Sequence, residues 1–193
     1  MQKLHALPGS APQAVRMRPA LVLVDLLQPD RRFFSYEHGT VAEGISRVVG
    51  LIRTARSINA PILLVSGVRN REILPEIIDA AGDKAYFAHK SKLSAFSAPD
   101  FETILNAHDI DALIIGGWIR HICVRTTVAD ALSRGFGVMT SDEILFGNRE
   151  KLNLQARRTC LDYLREHCSL HETADSLAAS ITAPDGMTLS IPF

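Results

Sequence analysis

The sequence predicts an α/β fold, a three-layer α/β/α sandwich around a central, mostly parallel sheet of the Rossmann-like kind, and three observations carry that reading. Apolar runs of strand length recur at 20–24, 61–65, 112–115 and 137–139. They are rich in Val, Ile and Leu and do not alternate with polar residues, as expected of strands covered on both faces. Helical patterns lie between them, and strands that alternate with helices imply right-handed crossovers into a largely parallel sheet.

Residues 1–18 read as a loose N-terminal arm, because Pro8, Gly9, Ser10 and Pro12 interrupt any apolar core and leave a poor secretory signal. The first strand, Ala20 to Val24, runs directly into Asp25. Val41, Ile45, Val48, Ile52 and Ala55 then follow spacings of three and four, and Thr40-Val41-Ala42-Glu43 has the form of a capping box at the start of that helix. The second strand, Pro61 to Val65, is followed by a stretch from Arg69 to Lys84 of mixed polarity, compatible with a short helix or a mobile flap. Phe101, Ile104 and Leu105 mark a shorter helix before the third strand, Ala112 to Ile115, which Gly117 closes. Val124, Val128, Ala131 and Leu132 mark a helix ending near Gly135, Gly137 to Met139 is the fourth strand, and Leu152, Ala156, Cys160 and Leu164 mark a longer helix. One domain thus spans 19–180, and the turn signal Pro184-Asp185-Gly186 lies in a tail of 181–193.

Composition narrows the function. The 193 residues are 47% hydrophobic and 22% charged, enough to build a sizeable core, and match about one domain. Lys and Arg number 21 and so do Asp and Glu, which leaves no broad field of one sign for nucleic acid or an anionic membrane. A small, modestly charged ligand fits better. No apolar run approaches the roughly 18 residues of a membrane span, so a soluble protein is expected. Cys123, Cys160 and Cys168 are too few for a disulfide framework and contain no C-x-x-C pair, which fits a reduced, cytoplasmic protein.

In open sheets of this type ligands gather at the carboxyl ends of the strands, where Asp25, Ser66, Gly117 and Ser141 stand. Asp25 emerges from a buried strand, where desolvation would raise its proton affinity and suit it to general-base work; it could equally cap the next segment or pair with Arg31 or Arg32. Lys90 and Lys92 share one face if their stretch is extended, so spacing does not choose between them. Cys123 opens the run CVRTTVADALSRG, and a thiol at a helix N-terminus meets partial positive charge that favours the thiolate. A small buried core residue is the alternative reading of the same position.

These pieces in order resemble the isochorismatase-like cysteine hydrolase family from about Arg18 to Ala179. ALVLVDLLQPD is similar to its first strand and Asp, KSKLSAF to its K-x-x-x-S-A-F segment, and GGWIRHICVRTTVADALSRGFGV to its cysteine loop, helix and next strand. The resemblance implies that Lys90, four residues before Ser94, is the catalytic lysine, with Asp25 and Cys123 completing the triad. It implies an oxyanion hole from the backbone N–H groups of Ile119 and Cys123, a cis peptide between Trp118 and Ile119, a homo-oligomer, and no cofactor. Leu27, Phe33, Phe34, Phe96, Trp118, Arg120 and His121 are the expected substrate-facing residues: Arg120 as a carboxylate binder or a salt-bridging scaffold residue, His121 as an orienting group.

Departures shape the expectation. Nicotinamidases of the family carry a D-x-H metal motif after the second strand, whereas SGVRNREI stands here, so no catalytic metal is expected. Leu27 replaces a common Gln, and Arg120 a common Thr or Ala. His121-Ile122 followed by TT resembles the true isochorismatases, which hydrolyse a vinyl ether with the Asp as acid and have Gly at the position of Cys123. The retained thiol favours cleavage of a C–N bond in a small amide-like substrate through a thioester. The alternatives are the vinyl-ether reaction and a non-catalytic assembly or ligand-binding protein.

Overall fold

A computed structural model describes residues 17–28, 33–67, 72–148 and 154–183. The arm before residue 17, Arg31, Arg32 and the tail after 183 lie outside the described residues. The elements in order are β1 (Pro19–Val24), β2 (Phe34–Ser35), α1 (Val41–Ser57), β3 (Ile62–Ser66), α2 (Pro75–Ala81), β4 (Tyr86–His89), α3 (Phe101–Ala107), β5 (Ala112–Trp118), α4 (Arg125–Ser133), β6 (Gly137–Ser141), β7 (Leu145–Asn148), α5 (Leu154–His167), β8 (Ser169–His171) and α6 (Ala174–Thr182).

The sheet runs β2-β7-β5-β1-β3-β4, with β6 joined to β5 and β8 beyond it. Among these pairs β2 with β7 is antiparallel and the others are parallel. One side of β5 is shared: Ala112, Leu113 and Ile114 pair with β6, while Gly117 and Trp118 pair with β7. β6 and β7 thereby diverge at the carboxyl edge and open the sheet there.

Successive strand side chains point to opposite faces, so each central strand feeds two cores. Leu21 and Leu23 of β1 and Ile114 of β5 join one cluster with buried residues of α1, α2 and α6. Val22 and Val24 of β1 and Leu113 and Ile115 of β5 join a second with residues of α3, α4 and α5. Burial of one such Leu or Val contributes about 1.5–3 kcal/mol, and coverage on both faces explains why these strands read as unbroken apolar runs.

The capping box expected at α1 is formed: Thr40 Oγ1 accepts from Glu43 N at 3.2 Å, and Glu43 Oε2 accepts from Thr40 N at 2.6 Å. Asn59, just past the helix end, takes φ +56°, a conformation Asn tolerates better than most residues. The uncertain stretch after β3 contains α2, whose Ile77 and Ala81 are buried against α1, so from Pro75 to Ala81 it is a docked helix; residues 68–71 lie outside the described set. Strands β2, β4, β7 and β8 were not foreseen, because two to four residues are too few to show a period.

Candidate active site

The carboxyl ends of β1, β3 and β4 meet at one point. Asp25 follows β1 with φ +54°, a left-handed turn that swings its carboxylate across the end of the sheet. Its Oδ1 accepts from Gly67 N at 2.7 Å, and its Oδ2 lies 3.0 Å from Lys90 Nζ. Lys90 follows β4, and its backbone N donates to Ser66 O at 3.0 Å, which continues the β3–β4 ladder past its last named pair. The ammonium also donates to Cys123 Sγ at 3.6 Å and to Lys92 O at 3.3 Å. Asp25, Lys90 and Cys123 are 6%, 6% and 9% exposed. Lys92 is exposed to solvent, so tertiary structure separates two lysines that spacing alone left equivalent.

Two glycines permit this approach. A Cβ at Gly67 would stand 2.8 Å from Lys90 Nζ and 3.3 Å from Asp25 Oδ1. Gly117 has φ +128°, and a Cβ there would collide with the Val24 carbonyl beside it in β1.

Cys123 sits in a π-helical turn, Arg120–Val124, that precedes α4, and the peptide between Trp118 and Ile119 is cis. The thiol therefore does not open the α-helix as the sequence suggested; it lies in the π turn two residues ahead of it, and the electrostatics differ accordingly. Burial pushes the Cys123 thiol up, the Asp25 carboxylate pushes the same way, and Lys90 opposes both. The balance favours the protonated thiol over the thiolate, and the Asp25 carboxylate is a hydrogen-bonding neighbour of that thiol.

The supporting bonds come from Ser94, already marked by the K-x-x-x-S-A-F resemblance, and from Thr127 and Ser97, which the sequence did not single out. Thr127 Oγ1 donates to Cys123 O at 2.8 Å and accepts from Ala95 N at 3.0 Å, joining the cysteine turn to the segment after Lys90. Ser94 Oγ accepts from Phe96 N, and Ser97 Oγ accepts from Lys92 N at 2.9 Å, which together fold the 90–98 segment into the bend that turns Lys90 inward.

The isochorismatase domain profile matches residues 19–142. This chain belongs to the isochorismatase domain family. The family is one of hydrolases, amidases and isochorismatases among them. The chain is 29% identical over 150 residues to N-carbamoylsarcosine amidase of Arthrobacter sp, a match covering 62% of this chain and only 56% of that relative's length. The secreted isochorismatase effector Isc1 of Verticillium dahliae is 19% identical over 96% of this chain and 99% of its own. The YcaC gene product of Escherichia coli, described as an octameric hydrolase of unknown specificity, superposes with a TM-score of 0.74 at 22% identity, covering 88% of this chain and 83% of that one.

Within this isochorismatase-family fold the expected substrate-facing residues divide. Trp118 and His121 are half-buried on the cysteine turn; the His121 imidazole is held below its usual range by burial and then by Arg120. Phe34 packs behind Trp118 with ring centroids 5.3 Å apart, and Phe33 precedes it, half-buried. Leu27 is a core residue bridged to Ile73 rather than an open wall. Phe96 belongs elsewhere: its ring contacts Phe101 and Phe136, with the Arg134 guanidinium over it, so it packs α3 against α4. Arg120 takes the second of its two readings, the salt-bridging one. Its side chain is 1% exposed and bound to Glu37 and Asp142, so it is buried in these ion pairs away from solvent.

Among the described residues no group of three or more His, Cys, Asp and Glu is placed to hold a metal ion. None of their helices is long and apolar enough to cross a membrane.

Proposed function

We propose that this protein is a cofactor-independent cysteine hydrolase that cleaves a C–N bond of a small amide-like substrate through a thioester, within a single domain of residues 19–180. The observation that carries the reading is the Lys90 ammonium lying between Asp25 Oδ2 and Cys123 Sγ, at 3.0 Å and 3.6 Å, in a buried setting. A burial-raised thiol beside a carboxylate base suits a nucleophile that is activated only as it reacts.

Asp25 takes the thiol proton and the sulfur adds to the carbonyl carbon, while the backbone N–H groups of Ile119 and Cys123 bind the oxyanion. Collapse breaks the C–N bond, and Asp25 returns the proton to the leaving amine. Water then adds to the thioester as Asp25 removes its proton. The C–S bond breaks, and the sulfur takes back its proton as the acid is released. Lys90 keeps the Asp25–Cys123 pair together by charge throughout. The likeness to N-carbamoylsarcosine amidase supports an amide or ureide substrate.

A screen of amides and N-carbamoyl compounds, read by amine release and by intact mass for an acyl adduct, tests this. Cys123→Ala should lower kcat by about 10³-fold or more while the cooperative melt is kept; wild-type rates in that variant would end the reading. The vinyl-ether alternative draws on the full-length likeness to the Verticillium isochorismatase effector. It requires Asp25→Asn to be inactive while Cys123→Ala stays active.

We further propose a homo-oligomer, for which the octameric YcaC relative is the support. A cytoplasmic setting suits the three free thiols, although the Verticillium relative is secreted.

A further inference from the structure

Arg120 is the largest fully buried side chain among the described residues, and none of its partners belongs to the Asp25–Lys90–Cys123 cluster. Its Nη1 donates to Asp142 Oδ1 at 2.9 Å, and its Nη2 donates to Glu37 Oε2 and to Leu145 O, the latter at 2.7 Å. These acceptors come from three places: the segment between β2 and α1, the 3-10 turn after β6, and the start of β7. Arg157 holds Asp142 in turn, donating to its Oδ2 at 2.8 Å. Burial alone would raise the Asp142 carboxyl; Arg120, with His38 and Arg157, more than reverses that, so the group stays ionised.

The same short segment is tied to β7 a second time. Trp118 Nε1 donates to Gly147 O at 2.8 Å, two residues along the strand from Leu145. Trp118 and Arg120 therefore pin both sides of Ile119 to one strand. The main chain of Arg120 is held as well, since its carbonyl accepts from Arg125 N, the bond that widens this turn to the π form, and from Cys160 Sγ at 3.5 Å. Cys123 lies three residues further along that turn. The Arg120 Nε–H is buried with no hydrogen-bond partner among the described residues, an arrangement that fold stability alone does not favour.

We propose that Arg120 is a positioning residue: its bonds to Glu37, Asp142 and Leu145 fix the 118–124 turn and so hold the Cys123 sulfur within reach of the Lys90 ammonium. The inference rests on the cysteine-hydrolase reading. A lysine cannot replace it, because one ammonium cannot present the planar fork that reaches acceptors on three elements.

The test is a double-mutant cycle on the rate at which iodoacetamide alkylates Cys123, followed by peptide mass mapping at pH 7.5. The proteins are wild type, Lys90→Met, Arg120→Lys, and the double variant, with melting curves recorded in parallel. In the wild-type background Lys90→Met should slow alkylation by about tenfold, because the cation that favours the thiolate is gone. In the Arg120→Lys background the same change should alter the rate by less than about threefold, because sulfur and ammonium are no longer held together. An equal effect of Lys90→Met in both backgrounds, whatever Arg120→Lys does to the melting temperature, would show a purely structural arginine and overturn the proposal. If Arg120→Lys does not melt cooperatively, Glu37→Gln serves as the second background with the same two outcomes. Failure of the wild-type Cys123 to react, or indifference of its rate to Lys90→Met, would instead overturn the cysteine-hydrolase reading, and this inference with it.

Discussion

A methyl group on Gly67 would stand 2.8 Å from the Lys90 ammonium, so the end of β3 touches the cation that links Asp25 to Cys123. The obstructing atom is the tip of a flexible side chain, which can move without unfolding anything. Gly67→Ala should therefore melt within a few degrees of wild type and lose about 10²-fold in kcat/KM, the cost of roughly 1 Å of misplacement. Unchanged turnover would show that the ammonium position does not matter.

Lys90 and Lys92 should behave as opposites. Lys90→Met leaves the Asp25 carboxylate buried without its cation, and breaking such a pair costs about 3–5 kcal/mol. Lys92 contributes only its main-chain carbonyl to the cluster, so Lys92→Ala should stay within about 0.5 kcal/mol in denaturant unfolding. Comparable losses in both variants would contradict the burial difference between them.

Thr127 is fully buried and serves two backbone groups, Ala95 N and Cys123 O. Thr127→Val keeps its shape but strands a buried N–H, which should cost about 1–3 kcal/mol by guanidinium unfolding. The cysteine turn loses one of its ties at the same time, so activity should fall more in this variant than in a Thr54→Val control, whose hydroxyl bonds to Gly50 O within α1.

Alkaline pH should weaken the fold through its thiols. Burial pushes Cys160 up to about 11, and burial together with Cys160 pushes Cys168 up to about 12. In the unfolded chain both ionise near pH 8.5. Above that value the unfolded state releases protons that the folded state retains, so stability falls with rising pH, and the loss continues until the folded values are reached. Guanidinium midpoints should drop between pH 8 and 10.5, and the double variant Cys160→Ala, Cys168→Ala should show a shallower drop. Parallel pH profiles in the two proteins would refute this account.

The layered α/β architecture was readable because doubly covered strands and amphipathic helices write different periods into the chain. Thr40 and Glu43 announced α1 through a local rule that needs no distant partner. The weaker elements were hidden for the complementary reason: β2, with two residues, and β8, with three, are held by their neighbours rather than by any pattern of their own. Phe96 misled for a related reason, and the same ambiguity left Arg120 with two readings. An aromatic ring or a guanidinium next to a motif can face a site or the core, and nothing within a few residues says which.

Local order along the chain therefore suffices for the layer plan, the place of Asp25 at the end of a buried strand and the identity of the cysteine turn, since each depends on residues near one another in sequence. Folding alone decides that Asp25, Lys90 and Cys123 share one buried point, that burial and Asp25 push the Cys123 thiol up, and which of its two readings Arg120 takes. Those outcomes depend on burial and on charges that follow β1, β2, β4 and β6, and such forces exist only once distant segments share the same few ångströms.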